Sequence, residues 1–218
     1  MKAAAVRFTR PTRKRARRSH AERTAETRAS VIAAVIDAIA ESGFQAATAH
    51  AIARRAGVTW GAVQHHFGGK DELLIAVLED TFTRFAERLA DIPDSSSPLA
   101  ERVSLFVDRA WDHFRSRHFR AAFEILLSYL GREDQADAGA WREQMTAAWD
   151  AVWSRIFADA RVSRRRSLML QHYTISTLSG LAATQMMAST ATELPPGELD
   201  LIKRMLLQEL VSDSTSKR

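Results

Sequence analysis

One stretch constrains this 218-residue chain more than any other: residues 43–74, GFQAATAHAIARRAGVTWGAVQHHFGGKDELL. It spells two short helices around a tight turn. Thr48 can cap the first, because its hydroxyl can accept from the orphan amides of the first turn. Residues 49–56 are rich in Ala, the strongest helix former. Gly57 follows where a left-handed residue lets the chain turn, Val58 is the apolar plug of that turn, and Thr59 caps a second helix over about residues 60–66. Ile52, Ala53, Val58 and Val63 are spaced to meet in one small core, and Ala53 is small enough for the helices to cross closely. The pattern is a helix-turn-helix, whose second helix can enter a DNA major groove.

The Gly43-Phe44 pair, Thr48, Ile52-Ala53, Ala56-Gly57-Val58-Thr59, Gly61, His66-Phe67, Lys70 and Leu73-Leu74 resemble the DNA-binding domain of TetR-type transcriptional regulators, over roughly residues 24–77. The resemblance implies an N-terminal DNA-binding domain, a C-terminal helical domain and a dimer formed by the last two helices. By the same likeness His65 binds phosphate, while His66 and Phe67 are half-buried supports. The chain departs from the family at Gln64, where a tyrosine is usual two residues before the second His. The tyrosine-to-phosphate contact is therefore lost, which implies a different base preference. Beyond about residue 78 the likeness is one of architecture only.

Charge is distributed to suit this reading. The net charge is +5, yet residues 1–70 hold thirteen Lys and Arg against four Asp and Glu, a surplus of nine, so the remainder is net acidic. A basic end on an acidic body suits a polyanion at that end alone. Residues 1–18 are dense in Arg and lack apolar periodicity, so they are expected to be a disordered arm that follows phosphates or enters the minor groove. The alternative for the arm is a solubilising extension.

Helix formers dominate and no alternating strand pattern occurs, so the expected fold is all-α with about nine helices. Three divisions are expected: the arm at 1–18, a helix-turn-helix domain at 19–69, and a ligand-binding and dimerisation domain at 70–218. A first helix starts at Ser19 or Thr24, buries Ile32, Val35, Ile36 and Ile39, and ends at a left-handed Gly43. A long helix from Lys70 to about residue 90 joins the domains. Ser97 and Pro98 read as N-cap and first residue of the next helix. Ser163 caps a long helix, 164–189, that carries no charge after Arg166. The last helix bears apolar residues almost all round (Leu201, Ile202, Met205, Leu206, Leu210, Val211), more than one core can bury. These two helices are expected to pack on their copies in a homodimer.

The candidate DNA contacts are Arg28, Thr48 and Lys70 for phosphates, and Thr59, Trp60, Gly61, Gln64 and His65 on the reading helix. Gln64 can bond an adenine edge, Thr59 or Trp60 can touch a thymine methyl, and Gly61 allows close approach. The candidate ligand contacts are the rings of Trp111, Phe114, Phe123, Trp149 and Trp153 together with Met186, and the polar groups of His172, Tyr173 and Thr177. They suggest a pocket for a small apolar or aromatic effector, the alternative being plain core.

Several classes are excluded on the sequence. No nucleophile–base pairing, phosphate loop or HExxH pattern supports an enzyme or a metal, and no cofactor is expected. No apolar run approaches a membrane span and the N-terminus is not a signal peptide. With no cysteine, the expected location is the cytoplasm. The leading expectation is a repressor released from a palindromic operator by ligand; the rival is an architectural DNA-binding protein without ligand.

Overall fold

A computed structural model describes residues 19–129, 136–187 and 196–211. The chain is all-α: α1 (His20–Ser42), a 3-10 turn (Phe44–Ala46), α2 (Ala49–Ala56), α3 (Trp60–Phe67), α4 (Lys70–Ala90), α5 (Leu99–Phe114), α6 (Arg117–Tyr129), α7 (Ala136–Ile156), α8 (Arg164–Met187) and α9 (Pro196–Val211). No strand occurs among the described residues. The expected basic arm at 1–18 lies outside them.

Local chemistry sets most of the helix ends. Ser19, not Thr24, starts α1 through a capping box: its Oγ accepts from the Glu22 amide at 3.1 Å, and the Glu22 carboxylate accepts from the Ser19 amide at 2.7 Å. Two expectations need correction. Gly43 has positive φ (79°) but ψ of 166°, so it is not the left-handed helical conformation expected; the Phe44 amide is drawn instead to Glu124 of α6, 2.7 Å away. Pro98 is itself the N-cap of α5 rather than its first residue, with its carbonyl accepting from the Glu101 and Arg102 amides. The Ser97 carbonyl is taken by the Arg102 side chain at 3.0 Å.

Two apolar clusters follow. The first gathers Val31, Val35, Ile36 and Ile39 of α1, Ile52 and Ala53 of α2, Val63 of α3, and Leu73, Leu74, Val77 and Leu78 of α4. It also takes Ala121, Ala122 and Ile125 of α6. The second joins Phe85 and Leu89 of α4 to the inner faces of α5, α7, α8 and α9. A single helix, α4, thus contributes to both. Its one apolar stripe, three and four residues apart, is long enough to pass from one cluster into the other.

Polar ties between distant segments set the bundle's geometry. Arg102 is only 1% exposed; it grips Asp159 with two bonds of 2.7 and 2.8 Å and also donates to the Ile156 carbonyl. That bidentate pair holds the Asp159 carboxyl below the ordinary carboxylate range. Arg155 donates to the last carbonyls of α4 and its loop, Leu89 at 2.6 Å and Ile92 at 2.8 Å. Cations at the carboxyl end of a helix complement its dipole.

Candidate nucleic-acid interface

The helix-turn-helix is built as its residues dictate. Thr48 Oγ1 accepts from the Ala51 amide at 3.2 Å, and Thr59 Oγ1 accepts from the Ala62 amide at 3.2 Å, so each threonine closes its own first turn. Gly57 is left-handed (φ 70°, ψ 27°), and the Val58 amide then reaches back to the Ala53 carbonyl at 3.0 Å. Ile52 and Val63 are fully buried, Ala53 nearly so, and Val58 packs beside them.

Burying Val63 turns the rest of α3 outward. Thr59, Gly61, Gln64 and His65 are exposed, while Trp60, His66 and Phe67 are half-buried. Trp60 and Phe67 rest against the first cluster. A side chain at Gly61 would meet nothing nearer than Thr59 Oγ1 at 3.9 Å, so internal packing does not require glycine there. Thr48 and Lys70 are exposed on the flanks, with the Lys70 ammonium 5.4 Å from the Phe44 ring centre.

Arg28 is more committed to the fold than its sequence position suggests. Its guanidinium donates to the His66 carbonyl, at the end of α3, and stacks 4.2 Å over the Phe67 ring. It thereby braces α3 against α1. It also lines a cleft of about 510 Å³ with His20, Arg23, Thr24, Thr27, His65 and His66. Sequence reasoning missed His20, Arg23, Thr24 and Thr27 as a group. The signal was present: they recur three or four residues apart and so share one face of α1. At the other end of α1, Glu41 engages Arg55 of α2 through two bonds of 2.8 and 2.5 Å.

The ligand candidates are distributed unevenly. Trp111, Phe114 and Trp153 are buried in the second cluster, with Trp149 and Met186 at its edge. Trp153 meets Phe106 and Phe157, and its indole donates to Ser167 Oγ at 3.0 Å. Trp149 lies on Phe85 with ring centres 4.4 Å apart. Phe123 stacks on Phe119. Thr177 is half-buried, whereas His172 and Tyr173 are exposed. The reason is periodicity: Leu170, Thr174, Leu178 and Ala182 turn the inner stripe of α8 inward, and His172 and Tyr173 fall off it.

That outer face is apolar. Met169 is 55% exposed, Tyr173 51% and Met187 78% on α8, with Leu201 at 60% and Val211 at 63% on α9. Among the described residues no helix is long and apolar enough to cross a membrane, and no three His, Asp or Glu side chains converge to hold a metal.

Comparison with known proteins agrees with this geometry. Residues 31–77 match the family described as bacterial regulatory proteins, tetR family. The transcriptional regulator CymR of Pseudomonas putida is 26% identical over 168 residues, 76% of this chain and 82% of that protein. The transcriptional repressor AcnR of Corynebacterium diphtheriae is 28% identical over 127 residues, 58% of this chain and 62% of that protein, so the match spans less than two thirds of it. A crystal structure of a transcriptional regulator from Rhodococcus superposes with a TM-score of 0.66 at 22% identity, over 84% of this chain and 95% of that one. That likeness shows the fold.

Proposed function

We propose that this chain is a DNA-binding transcriptional regulator of the TetR type, not an enzyme, that acts as a homodimer and represses from a palindromic operator; the match of residues 31–77 to the tetR family of bacterial regulatory proteins supports the reading. The observation that carries the reading is the outward row Thr59, Gly61, Gln64 and His65 on a helix whose orientation is fixed by buried Val63. Such a row can read base edges, with Gln64 matched to an adenine and the unhindered Gly61 allowing the backbone close to the duplex. Thr48, Lys70, His65 and the basic cleft at Arg28 supply phosphate contacts on either side.

In this reading residues 19–69 bind DNA and residues 70–218 bind ligand and dimerise. The apolar outer faces of α8 and α9 support dimerisation, since exposed apolar side chains of this size recur where a partner covers them. Each subunit then offers one α3 to one half-site. A small apolar or aromatic effector among the rings of α5, α6 and α7 would favour a dimer whose reading helices are wrongly spaced. The effector must prefer that state over the DNA-bound one for release to follow.

Selection of bound sequences from random duplex DNA, with and without a metabolite extract, tests the proposal. A palindrome recovered without extract and lost with it is expected. Absence of any enriched motif overturns sequence-specific regulation and favours an architectural role; a palindrome indifferent to extract overturns the effector alone.

A further inference from the structure

A second basic cleft lies away from the DNA-reading face. It measures about 340 Å³ and is lined by Arg84, Glu87 and Arg88 of α4, by His113 near the end of α5, and by Ser116 and His118 at the turn into α6. Its volume falls within the range of small-molecule sites.

Three observations give the cleft its chemistry. His113 is only 7% exposed, yet no hydrogen bond reaches its ring nitrogens among the described residues. Its ring is wedged among Phe85, Phe114 and Phe119, at 4.4, 5.6 and 6.0 Å between centres, so the polar edge that reaches the cleft lacks a protein partner. Its ring opens on the cleft, where a ligand acceptor can take its N–H. Next, Arg84 and Arg88 line one wall. Asp80 holds the Arg84 Nε at 2.7 Å, whereas among the described residues no ion pair engages Arg88, which shares the lining with Glu87. Finally, the opposite wall is the amino end of α6, where Ser116 Oγ accepts from the Phe119 amide at 3.2 Å. That end of a helix dipole favours an anion.

Arg84, Arg88 and Arg117 bring positive charge towards the cleft, and burial isolates His113 within it. Burial first, and then Arg88 and His118, push the His113 imidazole down to about 3. Burial, with Arg84 and Arg117, also lowers His118, although Asp80 acts in the opposite direction. Arg117 itself is paired with Asp37 of α1 at 2.7 Å. An anion seated here would offset the same field.

We propose that this cleft between α4 and the α5–α6 turn binds a small oxyanion, a carboxylate or a phosphate, that accepts hydrogen bonds from His113 and His118 and ion-pairs with Arg88. The site borders the aromatic cluster through Phe85 and Phe114, on which His113 packs, and does not depend on the DNA-binding reading. It differs from the basic cleft at Arg28, which lies on the helix-turn-helix.

The test uses the full chain labelled at histidine, titrated at pH 7 with inorganic phosphate, with butyrate, and with sodium chloride at matched ionic strength. The imidazole resonances of His113 and His118 are the readout. Saturable shifts of both with phosphate or butyrate, absent with chloride, are expected; whichever anion saturates first identifies the headgroup. R88Q, a change at an exposed position, should weaken the apparent affinity about tenfold while leaving the circular dichroism spectrum unaltered. H113F, which keeps a ring among the phenylalanines, should abolish the His118 shift. Shifts confined to His65 and His66, shifts reproduced by chloride, or full affinity in R88Q would each overturn the proposal.

Discussion

Thr48 and Thr59 each close a helix across three residues, whereas Arg102 reaches 57 residues along the chain to grip Asp159. The helix-turn-helix and the bundle behind it are therefore held by different kinds of contact. In the first, caps, a left-handed glycine and a few small side chains determine the shape locally. Its own core is slight, and it relies on α1, α4 and α6 for cover. In the second, large rings and the buried Arg102 join segments that the sequence keeps far apart. Local contacts allow a reading helix to be fixed while its outer side chains remain available to DNA. Non-local contacts give the bundle its stability and expose it to large losses when one member is removed.

The sharpest way to break this contrast is Trp153→Ala. The side chain is 1% exposed and packed by two rings, so the variant should lose about 4 kcal/mol in chemical denaturation. A loss as small as that of a helix cap would mean the bundle is no more dependent on its rings than the reading pair is on its threonines. Arg102→Ala comes next, at about 3 kcal/mol. The half-exposed Asp159 can be rehydrated, so most of the cost arises from the buried Ile156 carbonyl, with the part-buried Ser97 carbonyl adding to it, when both lose their donor.

Acid should weaken the bundle through His113. Its folded value near 3 lies below the ordinary 6.5, so between those values the unfolded chain takes up a proton that the folded chain refuses. Stability is fully present above about pH 6.5 and falls below it by up to about 1.4 kcal/mol per pH unit, or about 2 kcal/mol by pH 5. His113→Phe should flatten the denaturation midpoint against pH; an unchanged slope would assign the acid loss to other groups.

Thr59→Ala removes one cap and should cost about 1 kcal/mol. Its effect should appear chiefly as weaker DNA binding, measured by fluorescence anisotropy, because α3 would fray at the end that meets the groove. Gln64→Ala should change stability by less than about 0.5 kcal/mol, since the side chain is exposed. It should relax preference at one operator position, by about 1–3 kcal/mol in the discrimination against the wrong base. Uniform weakening across all site variants would remove Gln64 from the base readers.

Much of the first region was legible because its signals are short-range. The Ser19–Glu22 box, the left-handed Gly57 and the threonine caps are written within four residues of where they act. Periodicity in α1 likewise marked Val35, Ile36 and Ile39, which become buried. What could not be read depended on partners distant in sequence. Glu124 pulling on the Phe44 amide displaced Gly43 from the conformation its position suggests. Arg28 reads as a free cation on an exposed face, but folding brings His66 and Phe67 beneath it.

The sequence by itself determined an all-α chain with a basic amino end and a helix-turn-helix, since helix propensity, capping and hydrophobic spacing act over one or two turns. Only the tertiary structure decided that α6 completes the core beneath the reading helix, that His172 and Tyr173 face outward, and that Arg84, Arg88, His113 and His118 share one cleft. Those outcomes depend on how helices cross and rotate against one another. That is settled by the fit of whole side-chain surfaces, which spacing along a single helix does not encode.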